Sequence, residues 1–445
     1  MDRHAHRPRR AGLGAARRSA RKAELTVSHA DIAAGAWRLE RSRLVGAAAK
    51  LLHDLDEAED CAQDALIAAL ETWPQDGVPD NPAAWLMTTT RHKALDRLRR
   101  RAMLAREHQH LAADDEAAGA HVVPDFVDHL DAARDQAEIG DELLRLIFIA
   151  CHPVLPREAQ VALTLRLLGG LETAEIARAF LQPEATVAQR IVRAKKALRG
   201  QAFELPSAAD RTQRLGAVLA VVYLIFNEGH SAGSGAALLR PALCDEALRL
   251  ARQLQHLLPA EAEVHGLAAL LEIQASRLPA RLDAAGRPVL LPDQDRRRWD
   301  TLLIRRGLAA LERALALGEP GPYTLQATIA ACHARAARAE DTDWPAIEAG
   351  YNRLLALNPS PVIALNRAVA ISFSRGPAAA WPLLEALADE PQLQRYPWLA
   401  GAQADVLERL GRIGEAREAY LRAAELSDNE VQQALLRERA RRLAS

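Results

Sequence analysis

The sequence predicts an all-α protein built from several helical domains. Almost every segment of the 445 residues repeats its apolar positions with the period of a helix, and alternating strand patterns are scarce. Alanine, leucine, arginine and glutamate dominate, while aromatic residues make up only 4%, a composition that favours helices packed on helices. A chain of this length is long enough for two to four domains with substantial cores.

Charge is sorted into blocks along the chain, although the formal net charge is only −1. Residues 1–22 carry eight arginines and lysines against one acid, and residues 111–142 carry ten acids against one arginine. The segment 156–199 is basic again, with eight bases against four acids. Such blocks indicate different partners for different parts of the chain, although each block alone is explained equally well by a solvated surface.

Several classes of site and location are excluded by what the sequence lacks. Its four cysteines are scattered without paired spacing, which argues against a zinc site or a disulfide framework and fits a reducing cytoplasm. No apolar run has membrane-spanning length, and the early arginine pairs lack the apolar segment of a secretion signal. We therefore expect a cytoplasmic protein that uses no metal, no cofactor and no membrane.

Breaks in the helical pattern predict the domain organisation. One break, 73–82, contains three prolines and a glycine, and another, 278–298, is rich in proline, aspartate and arginine. The predicted segments are a disordered basic tail (1–27), a helical domain (28–106), an acidic linker (107–140), a compact helical domain (141–200), a helical extension domain (209–310) and helical repeats (311–445).

The last segment has the texture of stacked helical hairpins. Tyr351 and Tyr420 are 69 residues apart in similar apolar surroundings, a distance of about two tetratricopeptide periods. An Asn358-Pro359 pair stops the first of these helices. The spacing predicts tetratricopeptide-like repeats, and generic antiparallel helices explain it equally well.

The strongest local signal is a helix-turn-helix over 171–198, with its turn at 180–183. The second helix has a polar face suited to a major groove, formed by Thr186, Gln189, Arg190 and Arg193. Its opposite face is apolar and must pack inward, through Val187, Ile191, Ala194 and Leu198. Glutamine reads adenine and arginine reads guanine, while Lys195, Lys196 and Arg199 suit phosphates. The alternative is an amphipathic helix with a solvated basic face.

A second signal lies on two earlier helices. The first carries an acidic face suited to a basic protein surface, although a solvated face is the alternative: Asp56, Glu59, Asp60, Gln63 and Asp64. The second runs over 85–101 and ends in a dense cationic cap for phosphates. On it His92, Asp96 and Arg99 share one face, and Trp85 belongs either to the core or to a surface that stacks an unpaired base.

These residues resemble the extracytoplasmic-function (ECF) sigma factors of bacterial RNA polymerase. The family pattern of an acidic helix, a Trp-Leu helix and an Ala-Leu-Asp-x-Leu-Arg-Arg ending is matched by Glu57–Asp64, Trp85-Leu86 and Ala94–Arg100. The resemblance implies a protein that binds core RNA polymerase, opens promoter DNA and is not an enzyme. Nearly everything from Ser28 onward is covered, and the two sigma regions are its most specific part.

The resemblance also implies roles for individual residues. Core polymerase would be bound by Asp56, Glu59, Asp60, Gln63 and Asp64. The melted minus-ten strand would be bound by Trp85, Arg91, His92, Lys93, Asp96, Arg99 and Arg100. The double-stranded minus-thirty-five element would be read by Thr186, Gln189, Arg190, Arg193 and Lys196. One departure is His92, which replaces the amide that meets the extruded base in the family.

A subgroup of this family has a long C-terminal extension with tetratricopeptide-like repeats. Its opening hallmark is matched by Tyr223–Gly229, with His230 where members usually have tyrosine. The resemblance implies a built-in regulator in place of a separate membrane-bound anti-sigma protein. We expect the extension to pack against the sigma regions and its repeats to hold a regulatory protein or ligand.

Two rival functions were weighed. A one-component regulator, with a helix-turn-helix joined to a ligand-sensing repeat domain, explains the second half of the chain but not the paired acidic and Trp-Leu helices. A serine hydrolase is suggested by Gly229–Gly233, which fits Gly-x-Ser-x-Gly with Ser231 as nucleophile after the apolar run 217–226. That elbow requires a parallel sheet, for which the sequence lacks the strand-helix alternation.

Overall fold

The computed structural model of the chain describes residues 28–112, 142–180, 182–201, 203–231 and 238–443. The predicted basic tail and most of the predicted acidic linker lie outside these ranges. Within them the fold is all-α as predicted, with no strand and one isolated bridge between Leu282 and Pro288. None of the helices described here is long and apolar enough to cross a membrane.

The chain divides into two compact units: Met1–Leu146 with Arg199–Phe203, and Ile147–Leu198 with Glu204–Ser445. This division differs from the predicted domain boundaries. The helix-turn-helix segment belongs to the same unit as the extension, whereas a domain of its own over 141–200 was expected.

Three helices form the first unit: α1 (His29–Leu52), α2 (Leu55–Asp76) and α3 (Pro82–Ala112). The faces that meet are rich in buried alanine, which lets the helix axes approach closely. Buried Trp73 fills the far end of this core. Ser28 starts α1 with a capping box to Asp31, and Asp54 caps α2 by accepting from the backbone N–H groups of Asp56 and Glu57.

Two predicted boundaries in this unit are wrong. The break expected at 73–82 begins only at Gly77, because α2 tolerates Pro74 in its last turn and ends at Asp76. Gly77 adopts φ 88°, a conformation that favours glycine and stops the helix. Helix α3 continues to Ala112, into the stretch expected to be linker.

The second unit begins in helix α4, which is described over 142–150, and continues with α5 (Arg157–Leu167), α6 (Thr173–Ala179) and α7 (Glu184–Leu198). The extension then opens with α8 (Ala208–His230), α9 (Pro241–Leu257) and α10 (Ala262–Ala275). An irregular stretch with three short 3-10 turns follows, as the sequence predicted for 278–298.

Eight further helices complete the extension, each packed on the next. They are α11 (Thr301–Leu317), α12 (Pro322–Arg335), α13 (Trp344–Leu357), α14 (Pro361–Ser374), α15 (Pro377–Ala386), α16 (Pro397–Arg409), α17 (Ile413–Leu426) and α18 (Glu430–Arg442). Asn358 caps the end of α13 as expected, and Tyr420 is fully buried. This order is that of stacked helical hairpins, while their assignment as tetratricopeptide repeats stays a prediction.

Close packing against α9 explains why the last residue of the Tyr223–Gly229 segment is a glycine. A Cβ at this position would lie 2.7 Å from the backbone nitrogen of Cys244 and 2.8 Å from its Sγ. The backbone nitrogen of Arg240 donates to the carbonyl oxygen of Gly229 at 2.7 Å. Only glycine therefore lets the chain entering α9 approach the last turn of α8 so closely.

Arginines of the extension supply hydrogen bonds to the C-terminal ends of the first three helices of the second unit. Arg214 donates to the carbonyl of Phe148 in α4 at 3.0 Å, Arg249 to that of Leu168 at the end of α5, and Arg240 to that of Ala179, the last residue of α6. Carbonyls at a helix C-terminus lack partners within the helix and carry partial negative charge, so a guanidinium satisfies and stabilises them.

Apolar packing accompanies these caps. Ile147 and Leu168 line a small gap together with Val218 of α8 and Leu254 of α9, and all four side chains are buried. The C-terminal ends of the helix-turn-helix segment therefore depend on the extension for both polar and apolar partners.

The cap from Arg249 predicts a local loss of protection. Arg249→Met should speed amide hydrogen exchange in the last turn of α5, because the carbonyl of Leu168 loses a charge-assisted hydrogen bond that contributes about 1–3 kcal/mol. Hydrogen exchange followed by mass spectrometry measures the effect.

Arg252→Met is the matched control, since Arg252 lies on the same helix and also pairs with a buried glutamate, Glu272, but donates nothing to α5. Equal exchange in α5 for both variants would contradict the capping role.

Candidate nucleic-acid interface

Helix α7 has the two faces that the sequence predicted. Val187, Ile191, Ala194 and Leu198 are all buried. The polar side chains on the other side are exposed at Thr186, Gln189, Arg193 and Lys196. The turn before α7 is held by a bond from the backbone nitrogen of Gln182 to the carbonyl of Ala177, at 2.9 Å. An amide, a guanidinium, a hydroxyl and an ammonium group are thus presented on one helix face.

Arg190 is placed differently from its neighbours on this helix. Its side chain is half-buried and donates to Oε1 of Gln182 at 2.8 Å. Arg199, which the sequence suggested for phosphates, instead pairs with Asp54 and Asp56, each at 3.3 Å. Both arginines are therefore held by protein partners, and Gln189 and Arg193 are the more accessible groups on α7.

The acidic face of α2 is partly neutralised from within the first unit. Arg97 of α3 pairs with Asp64 at 3.1 Å and with Asp60 at 3.4 Å, and it also donates to the carbonyl of Glu57. Asp60 and Gln63 remain exposed, while Asp56 and Asp64 are half-buried. Asp56 pairs with Arg199 as well, so the face presents carboxylates whose net negative charge is reduced by two arginines.

Glu59 does not share this exposed face. It is 9% exposed and accepts from Arg41 of α1 at 2.8 Å, and Arg41 is buried as well. The helical spacing placed Glu59 with the other acids, but the position faces α1. A charge at such a site needs a partner, and losing one member of a buried pair costs about 3–5 kcal/mol. Its placement therefore favours a role in the fold over one in docking.

Helix α3 presents most of its predicted nucleic-acid residues to solvent, namely His92, Lys93, Asp96, Arg99 and Arg100. Arg91 is an exception, because it is half-buried and lies 3.6 Å from a carboxylate oxygen of Glu142. Trp85 is also half-buried, with its ring set edge-on to Trp73 at 5.5 Å. One side of Trp85 thus packs on the core while part of the ring remains accessible.

Two partners that shape these faces, Arg41 and Glu142, were not predicted from the sequence, and Arg97, predicted as part of the cationic cap for phosphates, pairs instead with acids of α2. Each joins residues far apart in the chain, such as the pair of Arg41 with Glu59 across 18 residues. Helical periodicity ranks positions on one helix, but it carries no information on which side chain of another helix lies opposite.

The serine hydrolase alternative requires a strand before Ser231, and the structure has a helix there. The apolar run 217–226, which would have to be a strand, lies inside helix α8, and Ser231 follows the end of that helix. Gly233 lies outside the described residues. A nucleophile elbow is a strand-to-helix turn, and none of the residues that the structure describes forms a strand.

Three protein families match the chain. Sigma-70 region 2 matches residues 37–103, Sigma-70 region 4 matches 145–198, and a family of unknown function, DUF6596, matches 214–315. The match over 214–315 covers α8 to α10 and most of α11, whereas the tetratricopeptide assignment of the extension gains no support from it. The first two matches coincide with the α1–α3 unit and with the helix-turn-helix segment.

Two relatives extend the comparison. Uncharacterized protein R00370 of Rhizobium meliloti (strain 1021) is 44% identical over 408 residues, which are 91% of this chain and 94% of that protein. The ECF RNA polymerase sigma factor SigK of Mycobacterium ulcerans (strain Agy99) is 29% identical over 164 residues, 36% of this chain and 78% of SigK. The chain therefore belongs to the same family as the Rhizobium meliloti protein, and it contains segments that match Sigma-70 region 2 and region 4 and are similar to an ECF sigma factor.

Proposed function

We propose that this chain binds core RNA polymerase in the cytoplasm, recognises a promoter through regions 2 and 4, and is regulated by its own C-terminal extension. The observation that carries the proposal is the order of a region 2 and a region 4, with an exposed polar face on α7 in the second. A one-component regulator would account for region 4 but has no use for region 2.

Docking on polymerase is assigned to the exposed and half-buried residues of the acidic face on α2, that is Asp56, Asp60, Gln63 and Asp64. Carboxylates aligned along one helix face attract a basic partner surface and raise the rate of encounter. Arg97 keeps Asp60 and Asp64 in place, and the two acids lie on the same side of α2 because they are four residues apart.

Strand opening is assigned to α3. His92, Lys93 and Arg100 are exposed on a helix whose partly accessible Trp85 offers a ring for an unstacked base. His92 stands where the family has an amide, and an imidazole both donates and accepts a hydrogen bond when neutral. We infer a base preference at the minus-ten element that differs from that of family members with asparagine.

Regulation is assigned to the extension because it caps the helices of region 4. The capping arginines contact helix ends, whereas Gln189, Arg193 and Lys196 on α7 remain exposed within the same unit. The extension thus acts on the conformation of region 4 and does not cover its reading face. The repeats from α11 onward are the proposed place for a protein partner or ligand.

Run-off transcription with purified core polymerase tests the proposal as a whole. DNA upstream of the chain's own gene and its neighbours should give a discrete transcript only when the full-length protein is added. Arg249→Met, which loosens a region 4 cap, should change the yield several-fold while core binding is retained. A protein that binds promoter DNA but never core polymerase would contradict the proposal and favour a one-component regulator.

Neutralising the acidic face should weaken polymerase binding. Asp60→Asn with Asp64→Asn should lower the affinity for core polymerase at least tenfold at moderate salt, because charge-assisted contacts are lost. Circular dichroism checks that the helices remain.

Arg97→Met is the matched control, since it removes the common partner of both acids and leaves their charge. Binding should be kept or strengthened in this variant. An equal loss in both variants would mean that the acids act only through their pairing with Arg97.

The polar face of α7 should divide into base readers and phosphate binders. Gln189→Ala or Arg193→Ala should cost about 1–3 kcal/mol on the cognate upstream element and relax preference at one base pair. Lys196→Ala should weaken binding to all sequences evenly and reduce the salt dependence by about one charge. Fluorescence anisotropy with a set of single-base variants measures both effects, and a uniform loss for all three variants would contradict the division.

A further inference from the structure

The extension contains a cavity that neither sigma region uses. Its volume is about 580 Å³, within the range of pockets that hold small organic ligands. The walls come from four helices, α8, α10, α14 and α16, together with the residue that follows α10 closely, Arg277. The cavity therefore lies between the segment that matches DUF6596 and the later hairpins of the same unit.

Positive charge at this cavity is half-buried without a counter-ion, although Arg277 also donates to the side-chain oxygen of Gln274. Arg277 lines the cavity, and Arg281 lies one helical turn further along the chain. The Nε atoms of both are buried and make no hydrogen bond. None of the carboxylates in the described ranges forms an ion pair with either guanidinium. Withdrawing a cation from water without pairing it with an anion is costly, so a half-buried site of this kind favours an anion.

Groups near Arg277 make the site less favourable for additional positive charge and more favourable for an anion. Arg281 lies 3.1 Å from Nε2 of His230, and because a guanidinium can only donate, the ring nitrogen must accept. Burial, together with Arg281 and Arg277, lowers the pKa of His230. Burial and the neighbouring arginines Arg281 and Arg296 likewise lower the pKa of Arg277 to about 9. Each shift shows that this environment disfavours further positive charge.

The other residues that line the cavity indicate the chemistry of the uncharged part of the ligand. Aromatic rings line the cavity at Tyr223, Phe226, Tyr396 and Trp398, and the ring of Phe226 stacks on His230. Amide groups that both donate and accept are contributed by Asn227, Gln274 and Asn366. No aspartate or glutamate is among the lining residues. An apolar, aromatic wall beside a cationic end fits a small molecule that has an apolar or aromatic body and an anionic group.

We propose that this cavity binds a small organic anion, with a carboxylate or phosphate group on Arg277 and an aromatic or apolar body against the rings of Tyr223, Tyr396 and Trp398. Carboxylate and phosphate both accept from a guanidinium in the same forked geometry, so the shared chemistry is an oxyanion. Binding at this site does not depend on the proposed sigma activity and is measured without polymerase or DNA.

The test is thermal unfolding of the full chain with probe molecules that differ in charge. Phenyl phosphate and benzoate should each raise the midpoint of unfolding in a saturable manner, and the neutral analogue benzamide should not. Comparison of the first two probes distinguishes a phosphate site from a carboxylate site. Absence of a saturable rise with both anions would overturn the proposal.

Variants locate the site. Arg277→Gln should abolish the rise with either anion, and without ligand it should unfold at the same or a higher temperature because a half-buried charge without a counter-ion is removed. Arg305→Gln, at an exposed arginine on α11, should keep the full response. A full response in Arg277→Gln would overturn the assignment.

A second variant avoids any effect of Arg277 on folding. Asn366 is exposed and lines the cavity, so Asn366→Asp should leave stability unchanged while placing a competing carboxylate beside the cation. Isothermal titration with the anion that gives the larger rise should show affinity at least tenfold weaker in this variant. Equal affinity in Asn366→Asp and the unmodified chain would contradict a site in this cavity.

Discussion

Hydrogen bonds from arginines to helix-end carbonyls are the constraint on which the second unit depends. Region 4 is a short helical segment of about fifty residues, too small to bury much apolar surface alone. Three of its helices end on carbonyls that receive guanidinium groups from α8 and α9, at Phe148, Leu168 and Ala179. The same helices share an apolar contact with the extension. The folding of region 4 and the packing of the extension are therefore linked.

Charge pairing inside the first unit limits which groups are available to partners. Asp60 and Asp64 share Arg97, Arg91 meets Glu142, and Arg199 is paired with two aspartates of the first unit. The exposed pairs among these contribute little to stability, whereas Glu142 is buried, and all of them fix the geometry of the charges that remain. A face of ordered carboxylates loses less conformational entropy on binding than a face of free ones, which favours specific docking.

Periodicity predicted the features that depend on one helix alone, such as the buried and exposed sides of α7 and the stop of α13 at Asn358. It failed where a distant part of the chain decides the outcome. Glu59 lies on the inner side of α2, where it pairs with Arg41, 18 residues away. Arg199 pairs with Asp56, which is 143 residues away in the sequence. The cavity beside Arg277 could not be predicted from the sequence either, because its walls come from four helices whose packing no local pattern specifies. The late end of α2 has another cause: a proline in the last turn of a helix sacrifices only one hydrogen bond.

Helix α8 contributes residues both to the cavity and to the contacts with region 4. Its first half supplies Arg214 to α4, and its last turn carries Glu228, which pairs with the same Arg240 that caps α6. Asn227 and His230, on either side of Glu228, line the cavity. Gly229 keeps this turn in direct contact with the start of α9, where a side chain would collide with Cys244. A molecule that fills the cavity therefore touches residues adjacent to a cap of the helix-turn-helix, and a shift of this one turn alters both. The segment Tyr223–Gly229 coincides with this turn and the one before it, so its residues connect the cavity to the arginine that caps α6.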